Sequence, residues 1–129
     1  MIAEDDEGDR ILMEKSFESL KVLNKRIYTE NGEDLLNYLE NKGKYQNASE
    51  YPLPGIILLD MNMPKVDGRE VIARTKSDPK FKTIPIIVMT SSKAEEEIVK
   101  TYNLGVNSYI QKPIDVKGLE VIFKALEKC

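Results

Sequence analysis

The chain of 129 residues is 41% hydrophobic and 32% charged, with a net charge of −3, no histidine and a single cysteine, Cys129. That length suits one domain with a sizeable core, and one terminal cysteine excludes an internal disulfide framework and suits a reducing cytoplasm. Without histidine there is no Ser-His-Asp triad and no His base. With one cysteine a structural zinc site is excluded as well, so any metal is hard and oxygen-bound: magnesium, manganese or calcium.

Short apolar runs alternate with helical stretches, the pattern of repeated βα units and a parallel sheet. The first strand is Met1-Ile2-Ala3, running into Glu4-Asp5-Asp6. Three residues make a short strand for a central position, either a clipped strand or one lacking a few upstream residues. A first helix follows from about Asp9, with Met13, Phe17 and Leu20 on one face. A short second strand lies around Arg26-Ile27-Tyr28, and Asn31-Gly32 turns into a second helix that faces the sheet with Leu35, Leu36 and Leu39. From about Asn41 to Pro54 the chain is polar and reads as a long surface loop, functional or merely tolerated.

The third strand, Ile56 to Leu59, is apolar without alternation, as a strand covered on both faces should be, and it ends at Asp60. A third helix begins near Gly68 and carries Val71 and Ile72. The fourth strand, Ile84 to Met89, has Pro85 at its start and ends at Thr90-Ser91. Ser92-Lys93-Ala94-Glu95 matches a capping box opening a fourth helix, with Ile98, Val99 and Tyr102, that stops at Gly105. The fifth strand, about Ser108 to Gln111, ends at Lys112-Pro113. Asp115 caps a fifth helix with Leu119, Ile122, Phe123 and Leu126 at i, i+3, i+4, i+7. Five strands and five helices use up residues 1–129 as one domain, leaving no output domain. The lysines Lys42, Lys44, Lys76, Lys80 and Lys82 are scattered rather than striped along one face, so nucleic acid is not an expected partner. No run of about 18 apolar residues suggests a membrane span, and nothing resembles a secretory signal.

Four of these strands end in a reactive group, and in an open parallel sheet the carboxyl ends gather where the strand order reverses. Glu4 and Asp5 are candidate ligands of a magnesium ion, which takes one or two carboxylates and keeps several waters. The alternative is a solvated acidic turn capping the first helix, and Asp9 could do only that. Asp60 is a candidate nucleophile, since a carboxylate can attack phosphorus to form an aspartyl phosphate, or an Asp that merely turns the chain. Thr90 is placed to donate to a phosphoryl oxygen and Lys112 to neutralise its charge.

Together Glu4-Asp5-Asp6, Asp60-Met61-Asn62-Met63-Pro64-Lys65-Val66-Asp67-Gly68, Met89-Thr90-Ser91 and Tyr109-Ile110-Gln111-Lys112-Pro113 resemble a two-component response-regulator receiver domain over the whole chain. Within that family the chain looks most like the single-domain regulators that partner bacterial phytochromes. The features are the Glu4-Asp5-x-x-Gly8-Asp9 opening, the long loop before the third strand and the Pro64-x-x-Asp67-Gly68-Arg69-Glu70-Val71 run. The resemblance implies an α/β, flavodoxin-like three-layer sandwich with strand order 2-1-3-4-5, the order found in this family's chemotaxis member. It implies that Asp60 accepts a phosphoryl group from a histidine of a sensor histidine kinase, of phytochrome type, or of a histidine phosphotransfer protein. Mg2+, with Mn2+ or Ca2+ able to substitute, would be held by Asp5, Asp60 and the Asn62 backbone carbonyl, with Glu4 acting through water. Thr90, Ser91 and Lys112 would bind phosphoryl oxygens, Tyr109 would act as the switch aromatic, and the Lys112-Pro113 bond would be cis. The face of fourth helix, fifth strand and fifth helix would then be remodelled for a downstream protein, with a homodimer as one assembly.

On this reading the protein is a phosphoacceptor that catalyses only its own phosphorylation and dephosphorylation. A phosphatase of the haloacid-dehalogenase type is the enzymatic alternative, but it needs an Asp two residues after the nucleophile, where this chain has Asn62. A receiver that docks without phosphorylation is the other.

Overall fold

The computed structural model describes residues 1–22, 26–61, 68–101, 105–106, 108–112 and 114–127, without the side chains of 98–101, 121 and 124–127. Five parallel strands, β1 (Ile2–Ala3), β2 (Tyr28–Thr29), β3 (Ile57–Asp60), β4 (Ile86–Thr90) and β5 (Ser108–Gln111), form one sheet in the order β2-β1-β3-β4-β5. The helices are α1 (Glu7–Ser19), α2 (Gly32–Leu39), α3 (Gly68–Ser77), α4 (Lys93–Thr101) and α5 (Val116–Glu127). This is the flavodoxin-like arrangement expected from the sequence.

The alternating direction of strand side chains divides the core into two layers. Ala3, Ile57, Leu59, Ile86 and Val88 pack on one face with Leu35, Leu36 and Leu39 of α2 and Val71 and Ile72 of α3. Ile2, Leu58, Ile87 and Met89 pack on the other with Met13 and Phe17 of α1 and Leu119 and Ile122 of α5. Burial on both sides explains why β3 and β4 read as unbroken apolar runs.

Several boundaries differ from the sequence expectation. Helix α1 starts at Glu7, not Asp9, because Asp6 is its N-cap and accepts the Asp9 N–H at 2.9 Å. Strand β2 lies one to two residues later than expected, where the Ile2 and Glu4 N–H groups donate to the Ile27 and Thr29 carbonyls. Pro85 falls just outside β4; its carbonyl still accepts the Ile57 N–H at 2.9 Å, which needs no donor from proline. In α4, Ser92 caps as expected, but the Glu95 carboxylate reaches the Ser91 N–H, one residue before the reciprocal capping position. Tyr102 lies outside the described residues.

The polar segment before β3 is not merely loose decoration. Asn41 adopts a left-handed φ of 53°, which Asn tolerates better than most residues, and donates its amide to the Tyr45 and Tyr51 carbonyls. Tyr38, Tyr45 and Tyr51 meet edge to face with ring centroids 5.0–5.8 Å apart. The Tyr45 hydroxyl donates to Asp34 and the Tyr38 hydroxyl to the Pro52 carbonyl, so the segment is folded onto α2.

At the other end of the sheet Gly68 opens α3 directly against Met61, the residue after Asp60. A Cβ at Gly68 would lie 2.8 Å from the Met61 sulfur and 3.0 Å from its Cα. Overpacking a backbone atom outweighs the helix-propensity gain of alanine. Gly68→Ala is therefore expected to lower stability by roughly 1–2 kcal/mol, read as a fall in the urea midpoint at unchanged slope.

Candidate functional site

Four strands deliver their polar ends to one edge of the sheet. The chain passes from β1 to β2 on one side and then crosses back past β1 to β3 on the other, so the strand order reverses at the carboxyl ends of β1 and β3. Glu4 and Asp5 follow β1, Asp60 ends β3, Thr90 ends β4 and Lys112 follows β5.

Glu4 is fully buried, Asp60 is nearly so, and Asp5 is exposed at the rim. One carboxylate oxygen from each lies within 4.8 Å of the others, a spacing that suits a hard cation. The oxygen-only donor set fits magnesium or manganese and offers nothing to a soft metal. The Glu4 backbone and side chain are held in turn: Oε1 accepts the Asp6 N–H at 3.1 Å, and Arg10 Nε donates to the Glu4 carbonyl at 2.5 Å.

The Lys112 ammonium lies at the centre of this group. It donates to Asp60 Oδ2 at 3.0 Å, to Asp9 Oδ2 at 3.0 Å, and to Glu4 Oε1 and Oε2 at 3.2 and 3.1 Å. Its backbone N–H donates to the Thr90 carbonyl at 2.7 Å, which ties the ends of β4 and β5 together. Thr90 is buried, and its hydroxyl makes only a long 3.4 Å bond to the Ile110 carbonyl. Ser91 is exposed. Tyr109 is half-buried and packs against the α2–α3 layer of the core. Asn62 and Pro113 lie outside the described residues, and with them the carbonyl ligand and the cis bond expected from the sequence.

The charges shift each other's protonation. Burial, and then the negative charge of Asp60, push the Glu4 carboxyl up to about 7, although Lys112 opposes both. Burial alone would lower the Lys112 ammonium, but its bonds to Asp9, Asp60 and Glu4 outweigh that and hold it above the ordinary lysine value.

Sequence reasoning placed Glu4, Asp5, Asp60, Thr90 and Lys112 at one edge, and the structure brings them together. Asp9, for which the sequence offers a capping role, and Arg10, for which it offers none, join the site through Lys112 and the Glu4 carbonyl. A signal was present: an acidic residue in the first helical turn projects back toward the helix start, which here is the carboxyl edge of the sheet.

Comparison with known proteins bears directly on this geometry. Residues 1–124 match the family model described as the response regulator receiver domain. The chain belongs to that family. Response regulator Rcp1 of Synechocystis sp. is 34% identical over 127 residues, covering 98% of this chain and 84% of that protein. A solved Mn(2+)-bound form of Rcp1 has a TM-score of 0.72 at 36% identity, covering 98% of this chain and 88% of that one. The bacteriophytochrome response regulator RtBRR has a TM-score of 0.89 at 37% identity, over 97% of this chain and 75% of that chain. The phosphorylated cyanobacterial phytochrome response regulator RcpA has a TM-score of 0.78 at 38% identity, over 98% of this chain and 89% of that chain. This receiver domain is thus a protein of two-component signalling, with phytochrome-type regulators among its relatives. Among its described residues no helix is long and apolar enough to cross a membrane.

Two expectations follow from the electrostatics of the receiver site. Lys112→Ala removes the cation shared by two buried carboxylates, so without divalent metal it should cost about 3 kcal/mol, measured by urea unfolding. Glu4, with its folded value raised to about 7, holds a proton in the folded state that the unfolded chain releases above its ordinary value near 4.5. Its contribution therefore favours folding at low pH and is lost as pH rises between those limits. Metal-free unfolding between about pH 5 and 6 should show that decline and Glu4→Gln should flatten it; above that range the Met1 ammonium, lowered by burial to about 6, titrates with the opposite sign.

Proposed function

We propose that Asp60 accepts a phosphoryl group from a phosphohistidine of a partner protein and that this receiver domain signals through the resulting change in its own surface. The observation that carries the reading is a nearly buried Asp60 carboxylate, bonded to Lys112 and grouped with Glu4 and Asp5.

In the transfer step an Asp60 carboxylate oxygen attacks phosphorus, a P–O bond forms as the P–N bond to the donor imidazole breaks, and the nitrogen keeps the electron pair. None of the 129 residues is a histidine, so the donor imidazole lies outside them. Hydrolysis reverses the state: water attacks phosphorus, phosphate leaves, and the Asp60 carboxylate is restored. Glu4, Asp5 and Asp60, with the Asn62 carbonyl, would hold a Mg2+ ion, whose place Mn2+ or Ca2+ could take. Such an ion supplies positive charge to neutralise the phosphoryl oxygens.

Lys112 is within reach of a group on Asp60 and turns its N–H bonds from carboxylates to phosphoryl oxygens. Thr90 loses little by leaving its long bond to Ile110 and donates to another of those oxygens, with Ser91 beside it. Phosphorylation adds roughly −1.5 to −2 charge units at this edge. As Thr90 moves toward that charge, Tyr109 on the neighbouring strand turns inward to fill the space, and the face of α4, β5 and α5 changes shape. A downstream protein reads that face. Likeness to RtBRR, RcpA and Rcp1 supports a sensor histidine kinase of phytochrome type as donor.

The test is incubation of the chain with Mg2+ and acetyl phosphate, followed by intact mass. A single labile phosphoryl adduct is expected, reduced to background by Asp60→Asn and by EDTA. Absence of an adduct on the wild-type chain, or multiple-turnover phosphate release from varied esters, overturns the reading.

A further inference from the structure

We infer that Asp9 is a positioning residue for phosphoryl transfer, anchoring Lys112 so that its other N–H bonds face the phosphoryl group on Asp60. The inference rests on Asp60 being the acceptor and extends it to a residue outside the acceptor and cation-binding group.

An ammonium has three N–H donors. In this structure one goes to Asp9, one to Asp60, and one is shared by the two oxygens of Glu4, so every donor is used by a carboxylate. Glu4 and Asp60 belong to the group that could hold a cation, and Asp9 stands apart from it. When Glu4 turns to a cation and Asp60 carries a phosphoryl group, Lys112 loses two of its three resting partners. Asp9 alone remains as a fixed acceptor.

A lysine side chain has about 2 kcal/mol of rotamer freedom to lose when it is fixed on a ligand. An ammonium already tethered at one N–H loses much of that freedom before the phosphoryl group arrives. Asp9 can act as a tether because its own position is fixed. Its N–H is bonded to Asp6 Oδ1, it lies in the first turn of α1, and the next residue, Arg10, is bonded to the Glu4 carbonyl. The first turn of α1 is thus fastened to the β1 end and reaches across to the β5 end through Asp9 and Lys112. The competing role for Asp9 is a favourable charge at a helix N-terminus, which would stabilise α1 and leave the transfer rate alone.

The rate of adduct formation with acetyl phosphate and Mg2+, followed by intact mass, distinguishes these roles. Asp9→Ala should slow labelling about tenfold, the equivalent of one charge-assisted hydrogen bond. Asp9→Asn, which keeps an acceptor for Lys112, should recover most of the rate. In a Lys112→Ala background Asp9→Ala should change the rate no further, because its effect passes through Lys112. The 1H–15N ammonium signal of Lys112, protected from exchange by its three bonds, should be present in the wild-type chain and lost in Asp9→Ala. Equal slowing with and without Lys112, or a wild-type rate in Asp9→Ala accompanied only by a lower melting temperature, overturns the anchor while leaving Asp60 as acceptor. A wild-type chain that takes no label overturns both.

Discussion

The bond network of the Lys112 ammonium is the constraint on which the site depends. Glu4, Asp9 and Asp60 come from α1 and two different strand ends, and would repel one another without a shared cation. Burial of Glu4 and Asp60 makes that repulsion stronger than it would be in water, because the surrounding dielectric is low. One ammonium against three carboxylates leaves the edge negative. The resting state is therefore held together and under-compensated at once, a condition that attracts a further positive charge.

The rest of the fold holds that arrangement still. Asp60 ends a strand whose residues anchor alternately in opposite layers: Ile57 and Leu59 beneath α2 and α3, Leu58 beneath α1 and α5. It cannot tilt without disturbing both layers, which is the rigidity the proposed acceptor needs. Glu4 is fixed by its own strand and by Arg10 and Asp6, and Lys112 by its backbone bond to Thr90. Charged groups at strand ends sit on rigid elements while their tips remain free to exchange partners.

Much of this was legible in the chain. Unbroken apolar runs ending in Asp60 and Thr90 located β3 and β4, and the order of acidic, hydroxyl and basic tips located the edge. What escaped depended on side-chain reach or local competition. Asp9 looked like a cap because an N-cap and a residue three positions later carry the same composition signal; only the backbone angles of Asp6 decide between them. Tyr45 and Tyr51 lie in a stretch whose polarity marked it as surface, yet their rings pack with Tyr38 while their neighbours stay in water. Strand β2 begins at Tyr28 because its register with β1 pairs Ile2 with Tyr28 and Ala3 with Thr29, while Arg26 just before it turns its side chain to the carboxylate of Glu14 and the face of Phe17.

The same network supplies the energy that the proposed switch needs. A ligand moves an equilibrium only by binding the two states differently, so a phosphoryl group must exchange contacts rather than simply add them. Lys112 is engaged at every donor in the resting state, and Thr90 is joined to its backbone and, through a weak side-chain bond, to Ile110. Redirecting Lys112 and Thr90 toward Asp60 therefore breaks contacts on β4 and β5 as it makes new ones. Val88 and Tyr109 are register partners on those two strands, one step from Met89 and Ile110. In the proposed switch a charge placed at the end of β3 would thus reach the β5 edge through two adjoining strands, by rearrangement of buried Thr90 and half-buried Tyr109.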